Sequence, residues 1–331
     1  RAGTICQHHV ATPKGPGMTS RFTAYVAACA PFAPRATLWR MLLVLIAAIL
    51  GQVAATVVLF PAIAFAASRI TGAPFGPTFN DISLLTTPLG LVAALSSFAG
   101  SALFVWAAVR WLHKIDPRSL LSLAGRFDWR DMGLGFAAVL AIGAIAVAVT
   151  LPFQDYTPNA PWSLWLVWVL PVLLVTLIQV FTEELIFRGY LQSQLAARFA
   201  SPLICIGGPS LLFGAAHIGN AAAFGSNAWL VLLAPTLVGL IAADITIRTG
   251  GIGAATGIHL GNNIIGLLFV AVPGPFGVVS LYLHPIDLAD ASSVRPLILI
   301  NLAVIVIGYI SYLAVTRGYR RRLQQPSDVF K

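Results

Sequence analysis

The run Leu164-Trp-Leu-Val-Trp-Val-Leu-Pro-Val-Leu-Leu-Val-Thr-Leu-Ile-Gln-Val-Phe181 holds no charged residue, and it leads directly into Thr182-Glu183-Glu184-Leu185-Ile186-Phe187-Arg188. A span of about 20 apolar residues is what an α-helix needs to cross roughly 30 Å of hydrocarbon. Ionisable side chains at such depth are costly, by roughly 2.5–3.5 kcal/mol each on insertion scales, and for that reason mark function more often than packing. Two further polar groups of this kind follow in later apolar segments: His217 in Phe213-Gly-Ala-Ala-His217, and His259 in His259-Leu-Gly-Asn-Asn263.

Composition agrees with the opening run. The chain has 331 residues, 58% of them hydrophobic and 9% charged, with mean hydropathy +0.87. Soluble domains carry about 25% charged residues. Runs this long imply helices rather than barrel strands. The expected fold is therefore an all-α polytopic transmembrane bundle. The net charge of +9 does not indicate nucleic-acid binding, because the basic residues lie in the short joints and tails between apolar runs. Cys6, Cys29 and Cys205 are scattered and form no CxxC pair, so neither a disulfide framework nor a zinc finger is expected.

About eight spans are expected: 41–67, 88–112, 133–153, 163–186, 203–219, 228–247, 252–271 and 296–316. They form one transmembrane domain over 38–316. Residues 1–37 read as a disordered cytoplasmic tail with Met18 a candidate start, and 317–331 as a basic cytoplasmic tail. The stretch from Met41 to Ser68 exceeds a signal-peptide h-region of about 7–15 residues, so it reads as a retained span. With both termini inside, 18 of the 20 lysines and arginines fall on the cytoplasmic side, leaving Arg69 and Arg295 outside. This arrangement puts Glu183 and Glu184 at the cytoplasmic end of the fourth span. A helix running unbroken from Pro202 would carry His217 about 22 Å from its start. Gly207-Gly208-Pro209 offers a later start near Pro209, with 201–208 lying along the interface.

Glu184 and Arg188 stand four apart on one helical face and can pair, while Glu183 is turned by about 100°. His259 and Asn263 are also one turn apart. A carboxylate, two imidazoles and an amide suit hydrolysis by water. The carboxylate takes a proton, the imidazoles hold water or a metal, and the amide meets an oxyanion. HExxH, the strong zinc-protease signature, is absent.

The order EExxxR, FxxxH, HxxxN on separate spans resembles the CPBP intramembrane proteases, a family that includes the CAAX prenyl endopeptidases and bacterial Abi-type proteins. The matching positions are Glu183, Glu184 and Arg188; Phe213 and His217; His259 and Asn263. The similarity covers about 164–270, the protease-like core. It implies a hydrolase in which Glu183 activates water, His217 helps to hold it, and His259 with Asn263 binds a metal or stabilises the oxyanion. Glu184 and Arg188 would position Glu183. It leaves the metal open: Glu183, His217 and His259 are the candidate zinc ligands, against a glutamate-only mechanism. The implied partners are the bilayer and a peptide or membrane-protein substrate, prenylated or not, at a bacterial plasma membrane. Two other readings stay open, a non-catalytic immunity or scaffold protein and a proton- or metal-coupled transporter. Asp244 and Arg248 read as a structural pair.

Overall fold

The computed structural model describes residues 18–288 and 290–324. The helices in chain order are α1 (Met18–Cys29), α2 (Leu38–Thr71), α3 (Phe75–Ser83), α4 (Pro88–Ser96), α5 (Phe98–Ala108), α6 (Trp129–Thr150), α7 (Trp162–Glu184), α8 (Ser193–Phe199), α9 (Gly208–Ala215), α10 (Ile218–Ala221), α11 (Ala228–Thr249), α12 (Gly253–Ile264) and α13 (Ala291–Gln324). The strands β1 (Thr157–Pro158), β2 (Val270–Ala271) and β3 (Tyr282–Leu283) are two residues each. The chain is an all-α polytopic bundle. Its outer faces carry exposed apolar side chains such as Val57, Val58 and Phe65 on α2 and Leu166, Leu170 and Leu174 on α7. That surface suits lipid, where helices satisfy their own backbone polar groups.

Among the described residues six helical runs are long and apolar enough to cross a membrane: 38–71, 88–113, 129–153, 162–199, 228–249 and 292–317. The expected count of about eight is therefore too high. The expected span 203–219 is a shorter apolar helix, Leu203–Ala215, ended by a turn at Ala216-His217. The expected span 252–271 stops as a helix at Phe269, where Val270 turns extended. The helical part of each falls short of the roughly 20 residues a crossing requires.

Helix ends follow local chemistry. Gly72 and Gly250 adopt φ 75°, and their N–H groups close α2 on Ser68 O and α11 on Thr246 O. The left-handed stop is one that glycine takes without steric cost. The Asp128 carboxylate accepts from Asp131 N at 2.9 Å to start α6. Asp290 accepts from Ser293 and Ser292 ahead of α13, and those hydrogen bonds pull its carboxyl down to about 2.

One end of the bundle is held by the loop 114–128. Ser122 bridges Gly251, Leu123 N donates to Gly250 O at 2.8 Å, and Ile252 N donates to Leu121 O at 3.0 Å. Arg35 reaches His113 O at 2.9 Å and Arg198 reaches Ala36 O at 3.4 Å, which gathers these basic residues at that same end. The opposite end carries a small sheet, which the all-α expectation did not include, in the order β1-β3-β2. In it β1 runs antiparallel and β2 parallel to β3.

The expected tail 1–37 is ordered in its described part. There α1 packs Phe22, Tyr25 and Cys29 against Ala196 and Cys205, and burial pushes the Cys29 thiol up to about 11. Met18, the candidate start, is the first residue of α1, and residues 1–17 lie outside the described residues. The basic stretch beginning at Arg317 continues α13 as far as Gln324.

Glycines set the closest helix approaches, as expected where lipid gives no hydrophobic drive and backbones must meet. A Cβ on Gly257 of α12 would stand 2.0 Å from Met132 O of α6. Gly257→Val is expected to push α6 and α12 apart and cost about 1–3 kcal/mol. A lower unfolding midpoint in lipid nanodiscs checks this, with Gly76→Val, at a site open around its Cβ, as the unaffected control.

Candidate active site

The helix that carries the glutamates does not end beside them, contrary to the expected span boundary. After Glu184 it continues as a π-helical segment, Leu185–Gln192, and then as α8 to Phe199. A π segment changes which side chains share a face and often marks functional positions. Glu183 thus lies about 24 Å before the end of the run by helical rise.

The depth difficulty at His217 resolves through this continuation. The helix passes without a break through Gly207-Gly208-Pro209, so the expected interfacial stretch 201–208 is absent. Both Gly207 and Gly208 keep right-handed helical angles, and Pro209 sits in the first turn of α9, where a missing N–H is tolerated. The break falls instead at His217 itself. From Pro202, His217 is about 22 Å along, close to the depth of Glu183 from the corresponding end.

The Glu184 carboxylate is fully buried, with one oxygen engaged. Its Oε1 accepts from Arg188 Nη1 at 3.1 Å and from His259 Nδ1 at 2.8 Å. Receiving Nδ1–H fixes the imidazole so that Nε2 faces Glu183, whose Oε2 stands 3.6 Å away. The second shared interaction is therefore longer than a hydrogen bond. Glu183 Oε2 has no hydrogen-bond partner among the described residues. The Oε2 atoms of both glutamates lack such a partner, but the two are differently placed: Glu184 is fully buried with its Oε1 on Arg188 and His259, and Glu183 lines the chamber described below.

Phe213 is the spacer of the site. The Arg188 guanidinium lies 4.5 Å over its ring, a cation–π distance. The rings of His259 and His217 meet it edge-on at 5.5 and 4.9 Å. His217 Nδ1 donates to Phe213 O at 2.8 Å, which leaves Nε2 as its acceptor nitrogen. Asn263 Nδ2 donates to Gln179 Oε1 at 3.2 Å.

Glu183, His217 and Asn263 line a cavity of about 1500 Å³ inside the bundle, and His217, His259 and Asn263 also line a neighbouring one of about 180 Å³. The larger chamber extends past Ile49 and Val53 of α2 and Phe98 of α5 toward Gln154, Asp155 and His284 near the sheet. Its wall is mostly apolar, with polar groups that include Gln179, His217 and Asn263 with Glu183, and Gln154, Asp155, His284 and Asp287 at the sheet end.

The structure therefore gathers Glu184, Arg188, His259 and Glu183 in contact, and sets His217 and Asn263 on the same chamber wall. Among the described residues no group of three His, Cys, Asp or Glu side chains is gathered closely enough to hold a metal ion. Gln179 was missed from the sequence although its signal was legible: it is the polar residue one turn before Glu183 in an otherwise apolar run. Asp244 pairs with Arg248 and accepts from Tyr309, joining α11 to α13. His113 meets the Tyr190 hydroxyl at 2.8 Å and His284 meets Gln154, while His8 and His9 lie outside the described residues.

Comparison with known proteins covers the same segment. Residues 163–265 match the family model described as Type II CAAX prenyl endopeptidase Rce1-like. The chain is 27% identical over 177 residues to "Uncharacterized protein YyaK" of Bacillus subtilis (strain 168), covering 50% of this chain and 56% of that protein. The chain thus spans a little over half the length of this curated relative. No solved structure matches. The resemblance read from the sequence is supported over the core: residues 163–265, which match the Rce1-like model, carry the three motifs.

Proposed function

Starting from a segment that matches the Rce1-like model inside a polytopic bundle, we propose that this chain is an intramembrane endopeptidase that hydrolyses peptide bonds of membrane-associated proteins or peptides. The observation that carries this reading is the division of labour between the glutamates. Glu184 is fully buried and spends its Oε1 on Arg188 and His259, while Glu183 lines the chamber and has no hydrogen-bond partner at Oε2 among the described residues.

In the proposed reaction Glu183 takes a proton from water as the water oxygen adds to a peptide carbonyl. The Asn263 amide donates to the oxyanion that forms. The C–N bond then breaks, the carbonyl re-forms as a carboxylic acid, and the proton held by Glu183 passes to the departing amine. His259, fixed by Glu184, faces Glu183 and keeps the carboxylate aimed. The Nε2 of His217 accepts a hydrogen bond from the same water. Glu184 and Arg188 act through His259 and Glu183 rather than on the substrate.

The mostly apolar chamber supports a substrate with an apolar portion, such as a prenylated cysteine peptide or a membrane-embedded segment. By the positive-inside rule the end that gathers Arg35, Arg126 and Arg198 faces the cytoplasm, so both termini are cytoplasmic. A bacterial plasma membrane is the proposed location.

The test uses the full chain in lipid nanodiscs with an internally quenched, farnesylated peptide ending in Cys-aliphatic-aliphatic-X, in H₂¹⁸O. Cleavage with one ¹⁸O in the new carboxylate supports water-driven hydrolysis, and an intact peptide contradicts the reading. We take the glutamate-only step as the working mechanism, supported by the lack of a gathered group of three candidate ligands among the described residues. Cleavage is therefore expected to persist, within about twofold, when a strong chelator is added. Loss on chelation with recovery on adding zinc would contradict the glutamate-only step.

A further inference from the structure

A row of side-chain amides crosses the chamber wall beside Glu183. Asn301 Nδ2 donates to Asn262 Oδ1 at 2.9 Å, Asn262 Nδ2 to Asn263 Oδ1 at 3.4 Å, and Asn263 Nδ2 to Gln179 Oε1 at 3.2 Å. The four residues come from three elements, α7, α12 and α13, and all line the cavity that Glu183 lines. Gln179 stands one turn before Glu183, on the same face of α7.

Amides away from water are costly unless hydrogen-bonded. These four satisfy one another only in part. A side-chain amide has two N–H donors and an oxygen that accepts twice, and the row uses one donor and one acceptor of Asn263. Reversing every amide together preserves the same three contacts. In either orientation one Asn263 N–H is spent within the row and one is left over. The terminal torsion of an asparagine is broad when free. Here Gln179 on one side and Asn262, itself tied to Asn301, on the other restrict the amide to one plane.

We propose that Gln179 is a positioning residue for this site. By holding the Asn263 amide, with Asn262 and Asn301 bracing it from the far side, it aims the spare N–H at the oxyanion formed when water adds to a peptide carbonyl. The proposal rests on the peptidase reading above. Its physical basis is that a donor fixed before the reaction needs no reorganisation when charge develops. The charge sequence is simple: the carbonyl oxygen gains the electron pair as the water oxygen bonds to carbon, holds it against the Asn263 N–H, and returns it when the C–N bond breaks.

The experiment compares Gln179→Met, which keeps side-chain length and removes the amide, with the native full chain in lipid nanodiscs on the farnesylated quenched peptide. Removing an entire oxyanion donor lowers turnover by about 10²–10³-fold. Freeing that donor to rotate is expected to lower kcat by about tenfold or more with KM within about twofold, the pattern of an interaction made only in the transition state. Asn263→Ala is expected to lose more, and Gln179→Met added to it is expected to change nothing further, since Gln179 acts through Asn263. Asn301→Leu, at an exposed position facing the chamber, provides a second variant with no burden on folding and is expected to lower kcat in the same sense by less.

Native kcat in Gln179→Met would overturn the proposal. So would a rise in KM alone, or an equal loss in the presence and absence of the Asn263 amide, which is the mark of a merely structural role. Native protein that leaves the peptide intact overturns the peptidase reading and this inference with it. Native protein that cleaves, and is indifferent to Gln179→Met, overturns the positioning role alone.

Discussion

Glu183→Gln is expected to abolish peptide hydrolysis while leaving the protein folded. The substitution keeps shape and hydrogen-bonding size but removes the proton acceptor. General-base catalysis contributes about 10²–10⁴-fold, so turnover is expected to fall by at least 10²-fold. KM for the farnesylated peptide should stay within about twofold, because substrate contacts along the chamber are untouched. The unfolding midpoint should hold or rise slightly. Glu183 is 9% exposed, its Oε2 has no hydrogen-bond partner among the described residues, and an amide there removes a buried charge. Kinetics and thermal unfolding of the two proteins side by side check both halves. Retained turnover would remove Glu183 from the chemistry.

The largest effect on stability is expected from Arg188→Met. Arg188 is 1% exposed and Glu184 0%, with 3.1 Å between their charged groups. Removing the guanidinium strands a carboxylate where no water reaches it, and breaking such a buried pair typically costs about 3–5 kcal/mol. It also removes the cation that lies over the Phe213 ring, which in turn spaces His217 and His259. Folded yield and unfolding midpoint should both drop sharply, and activity should be lost with them. Arg188→Met combined with Glu184→Gln is expected to recover much of the stability, since no uncompensated charge remains, but not the activity, because His259 loses its charged anchor. An unchanged midpoint in Arg188→Met would show that the pair does not hold the core.

Much of this architecture is legible in the residue order. The apolar runs give the bundle, and the spacing of Glu184 to Arg188 gives their pairing, because i, i+4 neighbours on a helix meet whatever surrounds them. The end of a helix is less legible. Leu185 to Phe199 continues α7 because its residues pack against the loop at Leu120, where a Cβ on Gly189 would stand 2.4 Å from Leu120 O. That is tertiary information absent from hydropathy. Gly207-Gly208-Pro209 reads as a helix start by local rules, yet packing carries the helix through it, and the break moves to His217. Hydropathy also overcounts spans at 203–219 and 252–271, where a turn and an extended segment interrupt runs that are mostly apolar. The two-residue strands near 157, 270 and 282 leave no period long enough to detect. Within the site, which partner each group chooses depends on how α7 and α12 meet. The pairing of His259 with both glutamates and of Asn263 with Gln179 is a property of that meeting and not of any one motif.

The most direct test of the central claim is a census of new protein termini by mass spectrometry in cells carrying the native chain or Glu183→Gln at matched abundance. Glu183 as the water-activating base predicts a set of termini, belonging to membrane-associated proteins, that is present with the native chain and lost with the variant. Identical termini in the two cultures, with both proteins folded in the membrane, would contradict it.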